Sequence, residues 1–205
     1  MNRFFSGKRT CGEIFVEIHR DRTYIWLVKS NNFMKSIYIS AFLALGLAFS
    51  ACAADVTVTV SDVHLCCQSC VNGVAKAVAN IKGLTAKADQ NAETVTLTGP
   101  DTATIQKGAD ALVAAGFFGK SSDPSIKINA DTGAKNQKVQ TITIEGLHLC
   151  CGKCVMDVSE ALGTVPGVSG NTAAKGAKTF QVTGDFNDKA VFDALQKAGL
   201  TGREK

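Results

Sequence analysis

The chain has 205 residues and a mass of 21.5 kDa, which allows one domain or two small ones. A mean hydropathy of +0.09, 20% charged residues and three prolines exclude both a disordered chain and a polytopic membrane protein. The net charge of +4 resides in the first 53 residues, and residues 54–205 carry fifteen charges of each sign, without the excess positive charge that electrostatic binding to nucleic acid needs.

The front of the chain reads as an address. Met34-Lys35-Ser36 precedes a mostly apolar run from Ile37 to Phe49, which closes on the small residues Ser50-Ala51-Cys52-Ala53-Ala54. That charged, apolar, small-residue order is a secretory signal, and the run is shorter than the roughly 20 residues a bilayer span requires. Residues 1–53 are therefore expected to be a leader, with translation starting at Met34 and a signal peptide over 34–53. Ala51-Cys52-Ala53 would release an exported protein, periplasmic or secreted, whereas Phe49-Ser50-Ala51-Cys52 resembles a lipobox that would anchor the product to a membrane through Cys52.

Beyond the leader the sequence repeats itself. His64-Leu65-Cys66-Cys67-Gln68-Ser69-Cys70 returns 84 residues later as His148-Leu149-Cys150-Cys151-Gly152-Lys153-Cys154. Val71, Val74, Ala77 and Gly83 return as Val155, Val158, Ala161 and Gly167. The period indicates two tandem domains, 55–122 and 139–205, joined by a linker over 123–138 that contains Pro124 and Gly133.

In each copy the elements follow one order. Val56, Val58 and Val60 alternate with threonines, as do Ile142 and Ile144, which predicts a half-buried strand. Val71, Val74, Val78 and Ile81, like Val155, Val158, Leu162 and Val165, step along one helix face. A strand near Leu84–Ala88 and another around Val95 and Leu97 come next, the latter matched by Phe180 and Val182. Ile105, Ala109, Leu112 and Val113 predict a second helix, as do Val191, Phe192 and Leu195, and Gly116 and Gly199 end it. Phe117-Phe118 and Leu200 are expected to open a last strand. The fold class is α+β: two ferredoxin-like βαββαβ domains, each a four-stranded antiparallel sheet with two helices on one face. Units of about 65 residues are marginal alone, so stiffening by metal or by the other copy is expected.

Both copies resemble the heavy-metal-associated domain of copper chaperones, mercury-binding proteins and metal-pumping ATPases. The family motif, Gly-Met-Thr-Cys-x-x-Cys, places its two cysteines on Cys67 and Cys70 and on Cys151 and Cys154. Leu65 and Leu149 stand at the Met position, while His64, Cys66, His148 and Cys150 depart from the pattern. The resemblance implies a metal-binding, non-enzymatic protein that exchanges its ion with a donor or acceptor protein.

The chemistry of the spacing points the same way. Cysteines at i and i+3 across a loop and a first helical turn bring two sulfurs together, and the unpaired N–H groups of that turn favour thiolate. Thiolates select soft ions, copper(I), zinc, cadmium or mercury, and two of them suit near-linear copper(I) or mercury(II). Cys66 and Cys150 add a third sulfur per copy, and His64 or His148 would complete a Cys3His set for a divalent ion such as zinc, with up to one ion per domain. The histidines are otherwise loop residues that tune the thiolates. Two readings compete: disulfides, disfavoured by an odd number of cysteines per copy, and thiol–disulfide exchange by the Cys-x-x-Cys pairs, disfavoured because Trp and Pro are absent beside them.

Overall fold

Alternation of β-branched and threonine residues builds β1 (Val56–Ser61), with Val58 and Val60 buried and the threonines on the other face. The structure, a computed structural model, describes residues 54–205; the expected start at Met34, the signal peptide and Cys52 lie outside the described residues. In the first copy α1 (Gln68–Val78), β2 (Thr85–Asp89), β3 (Thr94–Gly99), α2 (Thr102–Ala114) and β4 (Lys120–Ser121) follow β1. The second copy repeats the series as β5 (Lys138–Glu145), α3 (Gly152–Gly163), β6 (Val168–Asn171), β7 (Thr179–Asn187), α4 (Asp188–Lys197) and β8 (Arg203–Glu204).

The sheets have the orders β2-β3-β1-β4 and β6-β7-β5-β8, all neighbours antiparallel. The fold is thus α+β, two four-stranded sheets with two helices each, as the element order predicts. Val58 faces Leu97 and Val60 faces Val95 across β1 and β3, and these side chains carry the helices. On α1 the buried face is Cys70, Val74 and Val78; on α3 it is Cys154, Val158 and Leu162. Each Cys-x-x-Cys therefore spends its second cysteine on the core side of its helix.

The last strand of each copy differs from expectation. β4 and β8 are two residues long and start at Lys120 and Arg203, so Phe117 and Leu200 do not open them. Gly116 (φ +87°) and Gly199 (φ +73°) turn the chain through the left-handed region directly after the helix, and Phe117 and Leu200 then pair with each other, antiparallel, across the two copies. The N–H of Phe118 donates to Gly199 O and the N–H of Thr201 to Gly116 O, both at 3.0 Å. Residues 54–205 form one compact unit with a hydrophobic core drawn from both copies, in which Phe117 and Leu200 are 1% and 0% exposed.

The connection between the copies is tied down along its length. Ile126 is buried, and the Gln106 side chain both donates to Lys127 O and accepts from its N–H at 2.8 Å. Farther on, the carboxylate of Asp188, 1% exposed, accepts from the N–H groups of Lys135, Gln137 and Lys189 at 2.7, 2.8 and 2.6 Å. Among the described residues no helix is long and apolar enough to cross a membrane.

Candidate metal centre

Cys67 and Cys151 are the N-caps of α1 and α3, in extended backbone conformation, so each cysteine loop ends where free N–H groups begin. One turn on, Cys70 and Cys154 point into the core. Cys66 and Cys150 precede the caps. The copies meet at reciprocal close approaches: a Cβ on Gly116 would lie 2.6 Å from Gly146 O and His148 N, and one on Gly199 2.5 Å from Asp62 O and His64 N. Each cysteine loop is thereby pressed against the helix end of the other copy, in an approximately twofold arrangement.

The six thiols gather in one place. Within a copy the Sγ separations are 3.7 Å for Cys66–Cys70, 3.9 Å for Cys67–Cys70, and 3.6 Å for both Cys150–Cys154 and Cys151–Cys154. Between copies they are as short or shorter: 3.4 Å for Cys66–Cys151 and Cys66–Cys154, 3.6 Å for Cys67–Cys150 and Cys70–Cys150. All six are free thiols. Cys66 and Cys150 thus bridge toward the other copy, where the sequence pattern anticipates a third donor within their own.

The two histidines, identical in sequence context, sit differently. One ring nitrogen of His64 lies within 4.8 Å of the sulfurs of Cys66, Cys70 and Cys154, so this Cys3His group draws one of its cysteines from the other copy. His64 Nε2 lies 3.6 Å from Asp157 Oδ2, and the Nε2 atoms of both histidines are buried without a hydrogen-bond partner. His148 joins no such group among the described residues. Its ring stacks on Phe117 at 4.7 Å between centroids and packs on Gly73, where an added Cβ would come within 2.9 Å. Gly73 and Asp157 stand at equivalent positions, 84 residues apart, and that difference separates the roles.

Six negative charges cannot share this space without a cation, and the thiols divide accordingly. Burial pushes the Cys67 thiol up, but the N–H groups of Cys70 and Ser69 and the thiols of Cys150 and Cys151 outweigh it and hold it down at about 6. Contact with Cys70 lowers Cys154 despite its burial, helped by His64 and Cys66. Cys70 is raised in turn by Cys154 and by burial, Cys66 by burial and then Cys151 and Cys154, and Cys150 to about 12 by burial and then Cys154. Burial lowers His148, keeping its ring neutral. Low-lying thiolates able to capture a cation therefore alternate with thiols whose protons a cation would replace.

Residues that sequence periodicity does not single out complete the site: Phe117, Gly73 and Asp157. The clue available was the substitution of Asp for Gly at one position of an otherwise repeated helix.

Comparison with known proteins bears on the second copy first. Residues 141–201 match the heavy-metal-associated domain model. Among curated proteins none matches significantly. Three solved structures share short-range likeness. One chain, from work on crosstalk between Cu(I) and Zn(II) homeostasis, is 27% identical over 33% of this chain and 100% of its own, TM-score 0.29. The N-terminal soluble domains of Bacillus subtilis CopA are 15% identical over 75% and 95%, TM-score 0.29. The first two RRM domains of yeast poly(U) binding protein Pub1 are 11% identical over 73% and 98%, TM-score 0.24. Scores this low carry no functional weight. The family match, in contrast, encloses Cys150, Cys151 and Cys154, and the first copy shares the element and sheet order of the matched segment. The match covers 61 of the 205 residues and falls within the second copy.

Proposed function

We propose that this chain is an exported, non-enzymatic protein that sequesters a soft metal ion or hands it to another protein, holding it on Cys66, Cys67, Cys70, Cys150, Cys151 and Cys154. The observation that carries this reading is the convergence of six free thiols at separations of 3.4–3.9 Å at the N-termini of two helices. Soft cations compete best for such a donor set. The half-buried sulfurs of Cys66, Cys67, Cys150 and Cys151 leave a route for stepwise exchange with a partner's thiolates. Export rests on the signal pattern of residues 34–53; mass determination of the native product checks it, a retained Met1 counting against it.

The test is anaerobic titration with copper(I) against a chromophoric chelator, followed by desalting. Retained copper with a thiolate-to-copper charge-transfer band supports the reading, and loss of all copper(I) and zinc(II) on desalting refutes it. Catalysed reduction of insulin disulfides by dithiothreitol would instead support thiol–disulfide exchange.

Zinc(II) is a second reading for one position. His64, with a ring nitrogen within 4.8 Å of the sulfurs of Cys66, Cys70 and Cys154, supplies the fourth donor a tetrahedral divalent ion requires.

A further inference from the structure

The sulfur positions contain more order than a shared pocket needs. Four triads have their Sγ atoms within 4.8 Å of one another: Cys66, Cys70 and Cys154; Cys66, Cys67 and Cys151; Cys67, Cys70 and Cys150; Cys150, Cys151 and Cys154. Each of the six cysteines occurs in two of these triads. The twelve pairs they contain are all different, and the three pairs left out are Cys66 with Cys150, Cys67 with Cys154, and Cys70 with Cys151. Twelve edges and three opposite pairs are the connectivity of an octahedron; all eight of its faces meet this distance, and the four triads are an alternate set of them, which share corners but no edge.

That connectivity selects coordination number. Any four corners of an octahedron include an opposite pair, so no four mutually neighbouring sulfurs exist to surround a tetrahedral ion. A three-coordinate soft cation is served at any face, and four such ions fit at once on alternate faces, each sulfur then touching two of them. With metal–sulfur bonds of roughly 2.3 Å, an ion in the plane of three sulfurs spaces them about 4 Å apart. Eight of the twelve separations are 3.4–3.9 Å and the other four are within 4.8 Å, so such ions fit with adjustments of a few tenths of an ångström. Four monovalent ions leave six thiolates with two net negative charges, which the two helix N-termini at Cys67 and Cys151 partly offset.

We propose that the two copies form a single tetranuclear copper(I)–thiolate site, one copper(I) per triad and each sulfur bridging two ions. The proposal rests on the soft-metal reading above and replaces an expected capacity of one ion per domain by four per chain that neither copy holds alone. Filling it displaces the remaining thiol protons without any change in oxidation state. Zinc(II) finds a fourth donor only at the face that carries His64, and its capacity is one per chain.

The experiment is native mass spectrometry of the full chain, titrated anaerobically with copper(I) or zinc(II), with X-ray absorption at the copper edge. Expected are a cooperative passage to four copper(I) per chain, three sulfurs around each copper, a short copper–copper vector, and saturation at one zinc(II). Saturation at one or two copper(I) without copper–copper scattering overturns the shared site while leaving soft-metal binding intact; no retained metal overturns both. Cys66→Ser and Cys150→Ser, in different copies, each remove two triads and should each lower the copper count from four to two. If either variant misfolds, Cys67→Ser, at a half-buried position, tests the same halving. A variant that loses a single copper and leaves the other copy's ion in place refutes the bridging arrangement.

Discussion

At His64 and His148 one repeated residue does two jobs. His148 stacks on Phe117 and fills the space above Gly73, so His148→Ala should cost about 2–3 kcal/mol of stability, read from urea unfolding of the metal-free protein. His64 instead has a ring nitrogen beside three sulfurs. His64→Ala should weaken zinc(II) binding by about tenfold or more and leave copper(I) capacity unchanged, as measured by chelator competition. Equal losses for both metals would show His64 to be only a packing residue. The closeness of Cys67 to Cys70 and of Cys151 to Cys154 was legible from spacing, because i, i+3 across a helix start fixes where two sulfurs go; the reach of Cys66 and Cys150 into the other copy was not. The histidines were not, since their surroundings are set by residues of the opposite copy, Gly73 and Asp157, that no local pattern connects to them.

The connecting segment shows how an element of irregular structure is fixed. Asp188 opens α4, where a negative charge suits the helix end, and receives three N–H groups from the connection and from α4 itself. Burial pushes its carboxyl up, but those N–H donors from Lys135, Gln137 and Lys189 outweigh it, and the group is held below the ordinary carboxylate range. Its contribution is complete above the unfolded value of about 3.9 and is lost as pH falls through the lower folded value. Asp188→Ala should therefore destabilise by about 2–3 kcal/mol at neutral pH, and the gap from the native protein should narrow in acid, as thermal melts at pH 7 and pH 2–3 would reveal. Strands and helices were readable here because valine–threonine alternation and the 3, 4, 3 spacing are local signals. The short β4 and β8 were not: Phe117 and Leu200 have strand-like character, but their partner is each other rather than the neighbouring strand.

At the scale of the whole molecule, a common core makes the two copies one folding unit, and any ion held on the shared sulfurs would stabilise both copies together. Calorimetry of the metal-free protein should give a single transition for residues of both copies, and a chelator should lower the melting temperature of the loaded protein, since ligand at 100 times its Kd adds about 2.7 kcal/mol. Gly116→Ala introduces a Cβ against the backbone of Gly146 and His148 at a residue with φ +87°. It should destabilise by at least about 1 kcal/mol, and the sharper readout is loss of cooperative metal loading because the two cysteine loops no longer close on each other. Two separate melting transitions in that variant, with each half still folded by circular dichroism, would show that the copies are autonomous and only their docking was lost.

The Gly73 and Asp157 pair also says what fusion of the halves makes available. A single-copy version assembling with itself would present the same side chain on both sides of its symmetry axis, either two carboxylates facing two imidazoles or none. Covalent linkage lifts that restriction: one imidazole keeps its nitrogen for the sulfurs while its counterpart is committed to an aromatic stack. A near-symmetric ring of sulfurs thereby acquires a distinguishable side, and direction of entry and departure can be encoded in a protein whose two halves otherwise repeat each other.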